Sequence, residues 1–111
     1  MKSKYNKVYI SGPMSGLPNF NIEDFDRAEK FIDERGDIAV NPAVRAKKWL
    51  EKNPDRNMSK GEYDQLLLEG LRQIHNCDAI LMLPGWQNSN GAKAELSLAL
   101  IKKIPVEVMN F

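Results

Sequence analysis

The run DAILMLPGWQNSNGAKAELSLA, Asp78 to Ala99, decides the fold. It opens on five apolar residues, Ala79-Ile80-Leu81-Met82-Leu83, and breaks at Pro84-Gly85. A short apolar run bounded by turn residues reads as a buried strand. A polar loop follows, Gln87-Asn88-Ser89-Asn90, and then Ala92, Leu96, Ala99 and Leu100 recur on one helical face. Asn or Ser ahead of such a segment is a helix-start signal. The stretch is therefore strand, loop and helix. In open α/β folds the loops that leave the carboxyl ends of parallel strands build the ligand site.

Glu95 interrupts the apolar pattern of that helix. It lies three residues after Ala92 and four before Ala99, so it shares the sheet-facing side. Helical side chains lean towards the N-terminus, which aims Glu95 from the first turn back at the mouth of the site. The helix dipole favours a carboxylate there, and nearby N–H groups keep it ionised at neutral pH. An inert capping acid fits the position as well, and spacing alone does not separate the two readings.

Upstream, Lys7–Ser11 (KVYIS) reads as the first strand. The loop Gly12-Pro13-Met14-Ser15-Gly16 follows it. Two glycines and a serine can bring backbone N–H groups close to an anion, though a plain tight turn explains the loop equally well. It is neither the dinucleotide G-x-G-x-x-G nor a P-loop. Asn21 opens a helix to about Arg35, with Ile22, Phe25, Ala28 and Ile32 at helical spacing and Gly36 as its stop. Asp37–Asn41 is a second short strand, halted by Pro42.

Residues 43–58 carry no strand pattern. A short helix fits 43–52, and the segment reads equally as a cover over a site or as a surface linker. Ser59-Lys60-Gly61-Glu62 fits a capping box. It starts a helix to about Asn76 with Tyr63, Leu66, Leu67, Leu71 and Ile74 on its core face. Pro105–Met109 is the last strand. This alternation predicts a small flavodoxin-like or Rossmann-like three-layer α/β sandwich. Its sheet is four-stranded and parallel, of order 2-1-3-4, with helices on both faces. Strands one and three then flank a topological switch point. The site falls in the cleft between the Ser11–Gly16 loop and the Gly85–Glu95 segment.

A length of 111 residues suits one domain, covering 1–111. Sixteen Lys and Arg against fifteen Asp and Glu leave a net charge of +1 with no block of like charge. That argues against a nucleic-acid surface, which usually shows a basic patch. Cys77 is the one cysteine and His75 the one histidine. Hence no internal disulfide and no cysteine or histidine metal site is expected, and the reading calls for no cofactor. No apolar leader or stretch of about 18 apolar residues is present. The chain reads as soluble and cytoplasmic, with no membrane partner.

VYISGPMSGLPNFN and CDAILMLPGWQNSNGAKAE together resemble the nucleoside 2-deoxyribosyltransferase-like superfamily. The nearest likeness is to a poorly characterised branch common in phages and bacteria, and it covers roughly residues 7 to 108. The resemblance implies cleavage or transfer at the N-glycosidic bond of a 2′-deoxynucleoside or deoxynucleotide. It implies Glu95 as nucleophile, forming a covalent glycosyl ester, and Tyr9 as the residue that holds it. It assigns Gly12, Met14 and Gly16 to the sugar and phosphate side, and Ser89 to a 5′-phosphate; Ser11, Ser15 and Asn90, in the same two loops, are candidates for substrate binding. Trp86 sits where an aromatic can stack on a base, and equally where a Trp closes the rim of a core.

The resemblance also implies a homodimer or higher homo-oligomer. Helices 59–76 and 90–103 carry the most apolar surface for that contact. One position departs from the pattern. The aspartate usual in the helix before the central strand is Gly70 here, with Glu69 beside it. Glu69 reaches the site only if the helix turns by about 100°. Asp78 starts the strand, about 17 Å from the site end. A glycine inside a helix is unfavourable, so something needs the room: close packing or a ligand. Slow turnover is expected, with Gly70→Asp leaving activity equal or raised. The alternative is a nucleotide-binding protein, sensing or sequestering, that has lost turnover on the same fold.

Overall fold

The computed structural model describes residues 6–14 and 17–110. Ser15, Gly16 and Phe111 lie outside that range. Strands β1 (Lys7–Ser11), β2 (Ile38–Val40), β3 (Ala79–Met82) and β4 (Val106–Val108) form one parallel sheet of order β2-β1-β3-β4. Helices α1 (Ile22–Glu34), α2 (Ala43–Lys52), α3 (Lys60–His75) and α4 (Asn90–Lys102) complete the α/β fold. Expected architecture and strand order are both present. β1 and β3 are direct neighbours, with Tyr9 opposite Ile80 and Ser11 opposite Met82.

Strand alternation divides the interior. Val8 and Ile10 of β1 join Ala79 and Leu81 of β3 on one face, where Phe25, Ala28 and Ile32 of α1 cover them. Tyr9, Ile80 and Met82 face the other way, against Ile74 of α3 and Ala92 and Ala99 of α4. Burying each large apolar side chain contributes about 1.5–3 kcal/mol. A third cluster, Phe20, Ala46 and Met58, joins α2 to the start of α3 through Trp49, Tyr63 and Leu66. The helix over 43–52 thus forms as the sequence indicates, held by its buried Ala43 and Ala46.

Three details differ from the sequence reading. First, α1 has Asn21 as its N-cap, as expected, but it follows a turn in which Asn19, Phe20 and Asn21 are all left-handed (φ 51°, 55° and 61°). Such residues cost roughly 1–2 kcal/mol each for non-glycine side chains, least for Asn. Burial of Phe20 against Trp49 and Tyr63, edge-on at 6.0 and 6.1 Å, offsets that strain. The Asn21 amide also donates to the Pro13 carbonyl at 3.0 Å.

Second, the core face of α3 is buried only in its last turns, at Gly70 and Ile74. Leu66 and Leu67 are half-buried because that half of the helix stands over a cavity. The Ser59–Glu62 capping box itself is present in both directions. Third, Glu95 is the sixth residue of α4, in its second turn rather than its first.

The end of the sheet away from the α4 N-terminus is tied by charge. Arg35, just past α1, donates from Nε to Asp37 at 2.7 Å and from both terminal nitrogens to Glu107 on β4 at 2.9 and 2.7 Å. Asp78 accepts from the Lys7 amide at 3.0 Å, at the start of β3 as expected. Among the described residues no helix is long and apolar enough to cross a membrane.

Candidate functional site

β1 carries Tyr9 and Ser11 on the face covered by α3 and α4, because alternate strand residues share a face. α4 lies over that face and turns Glu95 down onto them. The Ser11 hydroxyl donates to Glu95 Oε1 at 2.6 Å, and the Tyr9 hydroxyl donates to Oε2 at 2.8 Å. Ser11 is wholly buried, Tyr9 nearly so, and Glu95 is 8 % exposed. Each carboxylate oxygen therefore has one hydroxyl donor, and among the described residues neither is paired with a cation.

That environment corrects the expectation of a helix-dipole-stabilised anion. The donors are hydroxyls of β1 and not amides of the α4 N-terminus, which lies more than a turn away. Burial pushes the Glu95 carboxyl up to about 7, with the Ser11 and Tyr9 hydrogen bonds opposing it. The Tyr9 phenol is raised well above its ordinary value, first by burial and then by the Glu95 charge. A carboxyl poised near neutrality is the condition for acid–base or nucleophilic work.

Above the carboxyl opens a cavity of about 370 Å³. Its walls include Tyr9, Gly12 and Met14 from the β1 side, and Ser89, Asn90 and Glu95 from α4 and the loop before it. The structure brings these six sequence candidates together around one space, at the switch point between β1 and β3. Ser11 is different: it sits beneath the carboxyl as a donor. Ser15 and Gly16 lie outside the described residues. Trp86 is partly buried against the core cluster on the Tyr9 face of the sheet and is not among the residues that line the cavity. Of the two readings left open for it, rim packing is the one observed.

The loop chemistry also has a packing cause. A Cβ on Gly12 would stand 2.7 Å from the Leu83 Cβ, so glycine is required there by the close approach of β3's end. Ser89 accepts from the Ala92 amide at 3.1 Å and caps α4. Asn90 and Gly91 in that first turn border the cavity. The first amides of a helix have no partner within it and suit an anion or a hydroxyl.

α3 supplies what sequence reasoning missed. Tyr63, Asp64, Leu66 and Leu67 line the cavity. Tyr63, Leu66 and Leu67 were visible as an apolar stripe but read as core. Asp64, paired with Lys60 at 3.0 Å, gave no signal. Glu69 points away, to Arg45 at 3.4 Å and to Arg72. Gly70 adjoins the site directly. A Cβ there would lie 2.4 Å from both Glu95 Oε2 and the Tyr9 hydroxyl. Close packing is what needs the room. Among the described residues no group of three or more His, Cys, Asp or Glu side chains is placed to hold a metal ion.

No curated protein matches the chain. Residues 6–109, which include every strand and helix and the Glu95 site, match the family model described as a domain of unknown function, DUF4406, and the chain belongs to that family.

Proposed function

We propose that the protein cleaves or transfers at the N-glycosidic bond of a 2′-deoxynucleoside or its monophosphate, with Glu95 as the nucleophile. The observation that carries this reading is a buried carboxyl with a raised pKa, held by two hydroxyls at the floor of an open cavity. The likeness of the two sequence motifs to deoxyribosyltransferases supports it. So does the size of the cavity, which falls within the range of small-molecule sites.

The step balances as follows. A Glu95 carboxylate oxygen bonds to C1′ as the C1′–N bond breaks, and the bonding pair leaves on the base nitrogen, which takes a proton from water in the open cavity. A second base or a water then attacks C1′ as the C1′–O bond to Glu95 breaks, and its N–H or O–H proton goes to the hydroxide left by the first step, which frees the carboxylate. Tyr9 and Ser11 fix the carboxyl in place while it changes charge. A 2-deoxy sugar suits the site because no 2′-hydroxyl crowds the carboxylate. Tyr63, on the cavity wall, takes the stacking role considered for Trp86. Ser89, Asn90 and the first amides of α4 face the sugar 5′ side.

Self-association fits the outer surface of α4. That helix exposes Leu100 (61 %) and Ile101 (77 %), and Val106 and Val108 of β4 are exposed as well. A helix of that kind is normally covered, and a homo-oligomer covers it.

The test is base release from the four deoxynucleosides and their monophosphates by the parent and by Glu95→Ala. The expected result is release by the parent and none by the variant. Release that survives Glu95→Ala overturns the nucleophile. A parent that binds a nucleotide tightly and releases nothing makes the protein a nucleotide binder.

A further inference from the structure

We infer that Gly70 is a positioning residue: the missing side chain on that turn of α3 is what lets the Tyr9 hydroxyl and the Glu95 carboxyl meet. Its functional weight rests on the reading of Glu95 given above; its structural claim does not.

Three observations carry it. A Cβ at position 70 would stand 2.4 Å from Glu95 Oε2, 2.4 Å from the Tyr9 hydroxyl and 3.4 Å from Tyr9 Cζ. Neither oxygen is at the end of a free side chain. Tyr9 belongs to β1, in register with Val40 on one side and Ile80 on the other, and Glu95 is pinned through Oε1 by Ser11. Nor does the backbone explain the residue. Gly70 lies within α3, and among the described residues the glycines with positive φ are Gly36 and Gly85. Glycine is among the poorest helix formers, so local propensity argues against it and the two oxygens account for it.

The same geometry reverses one sequence expectation. Gly70→Asp does not restore a second acid to the site. Its Cβ displaces the first one, and base release falls.

The groups that act on the pair are Tyr9 and Ser11 from β1 and, through charge on the Tyr9 phenol, Arg45 of α2 and Cys77 just after α3. Asp64 of α3 shares the cavity. All remain in Gly70→Ala, so a change in Glu95 is attributable to the added methyl group. The Tyr9 hydroxyl donates to the ionised carboxylate, and such a bond favours the charged form. Prising the two apart moves the carboxyl's titration to higher pH.

The experiment has two arms, neither of which needs activity. The first is the melting temperature of Gly70→Ala in two backgrounds. In the parent the substitution lowers it, because the methyl group collides with both oxygens. In a Tyr9→Phe/Glu95→Ala background, which removes both oxygens, it raises it, as alanine in a helix should. The same sign in both backgrounds overturns the inference. The second arm follows the ¹³C-labelled Glu95 carboxyl by NMR through pH 4 to 10. Tyr9→Phe and Gly70→Ala both shift its midpoint upward. A Gly70→Ala midpoint equal to the parent's overturns the inference. A parent that releases no base defeats the glycosidic reading and leaves both arms standing.

Discussion

Asp37 and Glu95 are both buried carboxyls, at opposite ends of the sheet. Asp37 is bound at 2.7 Å by the Arg35 guanidinium, which also grips Glu107. Glu95 has two hydroxyls and, among the described residues, no cation. Both remove charge from water, which costs several kcal/mol per ion. Only the first recovers part of it from an opposite charge. The Asp37 end joins α1 to β4 and does structural work. The Glu95 end keeps a carboxyl near its neutral form beside an open cavity. A buried carboxyl held by hydroxyls at the floor of a cavity is the expected sign of a functional group.

The contrast breaks most readily by exchanging the losses. Glu95→Ala should lower base release by about 10³-fold or more, in line with removal of a covalent nucleophile. Arg35→Ala should leave the release rate within a few-fold at temperatures where it stays folded. A large loss of turnover in Arg35→Ala would erase the distinction between the two ends.

Stability sharpens it in the other direction. Arg35→Ala leaves Asp37 buried without its cation, and breaking such a pair costs about 3–5 kcal/mol. The partial exposure of Arg35 puts the expected loss near the lower end. Urea denaturation measures it. Glu95→Gln, which keeps shape and removes charge, should raise stability above pH 7.

The pH dependence has a definite sign. The Glu95 carboxyl is raised from an ordinary 4.5 to about 7. The folded state therefore binds more protons than the unfolded chain between those values. Stability from this group is fully present below pH 4.5, falls as pH rises through the window, and is level above 7. The span corresponds to about 3 kcal/mol at most. Denaturation midpoints of the parent and Glu95→Gln across pH 4 to 8 test it: the variant should lose that slope, and an unchanged slope refutes the assignment.

A smaller effect concerns the outer face of α4. Ile101→Asp should shift the protein towards monomer in light scattering at micromolar concentration while leaving its melting temperature nearly unchanged. A monomeric parent contradicts the oligomer.

Much of the fold was legible because period and punctuation agreed. The β3 run, the Pro84-Gly85 break and the Ser59–Glu62 box each carry a local cause, and right-handed crossovers then dictate the strand order. Glu95, Tyr9 and Ser89 were legible as positions. What the sequence hid depends on distance across the fold. The left-handed turn at 19–21 exists because Phe20 finds Trp49 and Tyr63, more than 25 residues away. The Tyr63–Leu67 stripe looks identical whether it meets a sheet or a cavity. Burial of Glu95, which outweighs the helix terminus, follows from α3 closing over β1 at Gly70.

The proposed reaction makes a bond between Glu95 and a sugar carbon. A 2′-fluoro-2′-deoxynucleoside slows loss of the intermediate, because fluorine at C2′ destabilises the cation-like transition state. Incubation followed by peptide mass spectrometry should find the fluorinated pentose on the peptide carrying Glu95, with one equivalent of base released. Stoichiometric base release with no adduct on Glu95, or an adduct formed equally by Glu95→Ala, would contradict it.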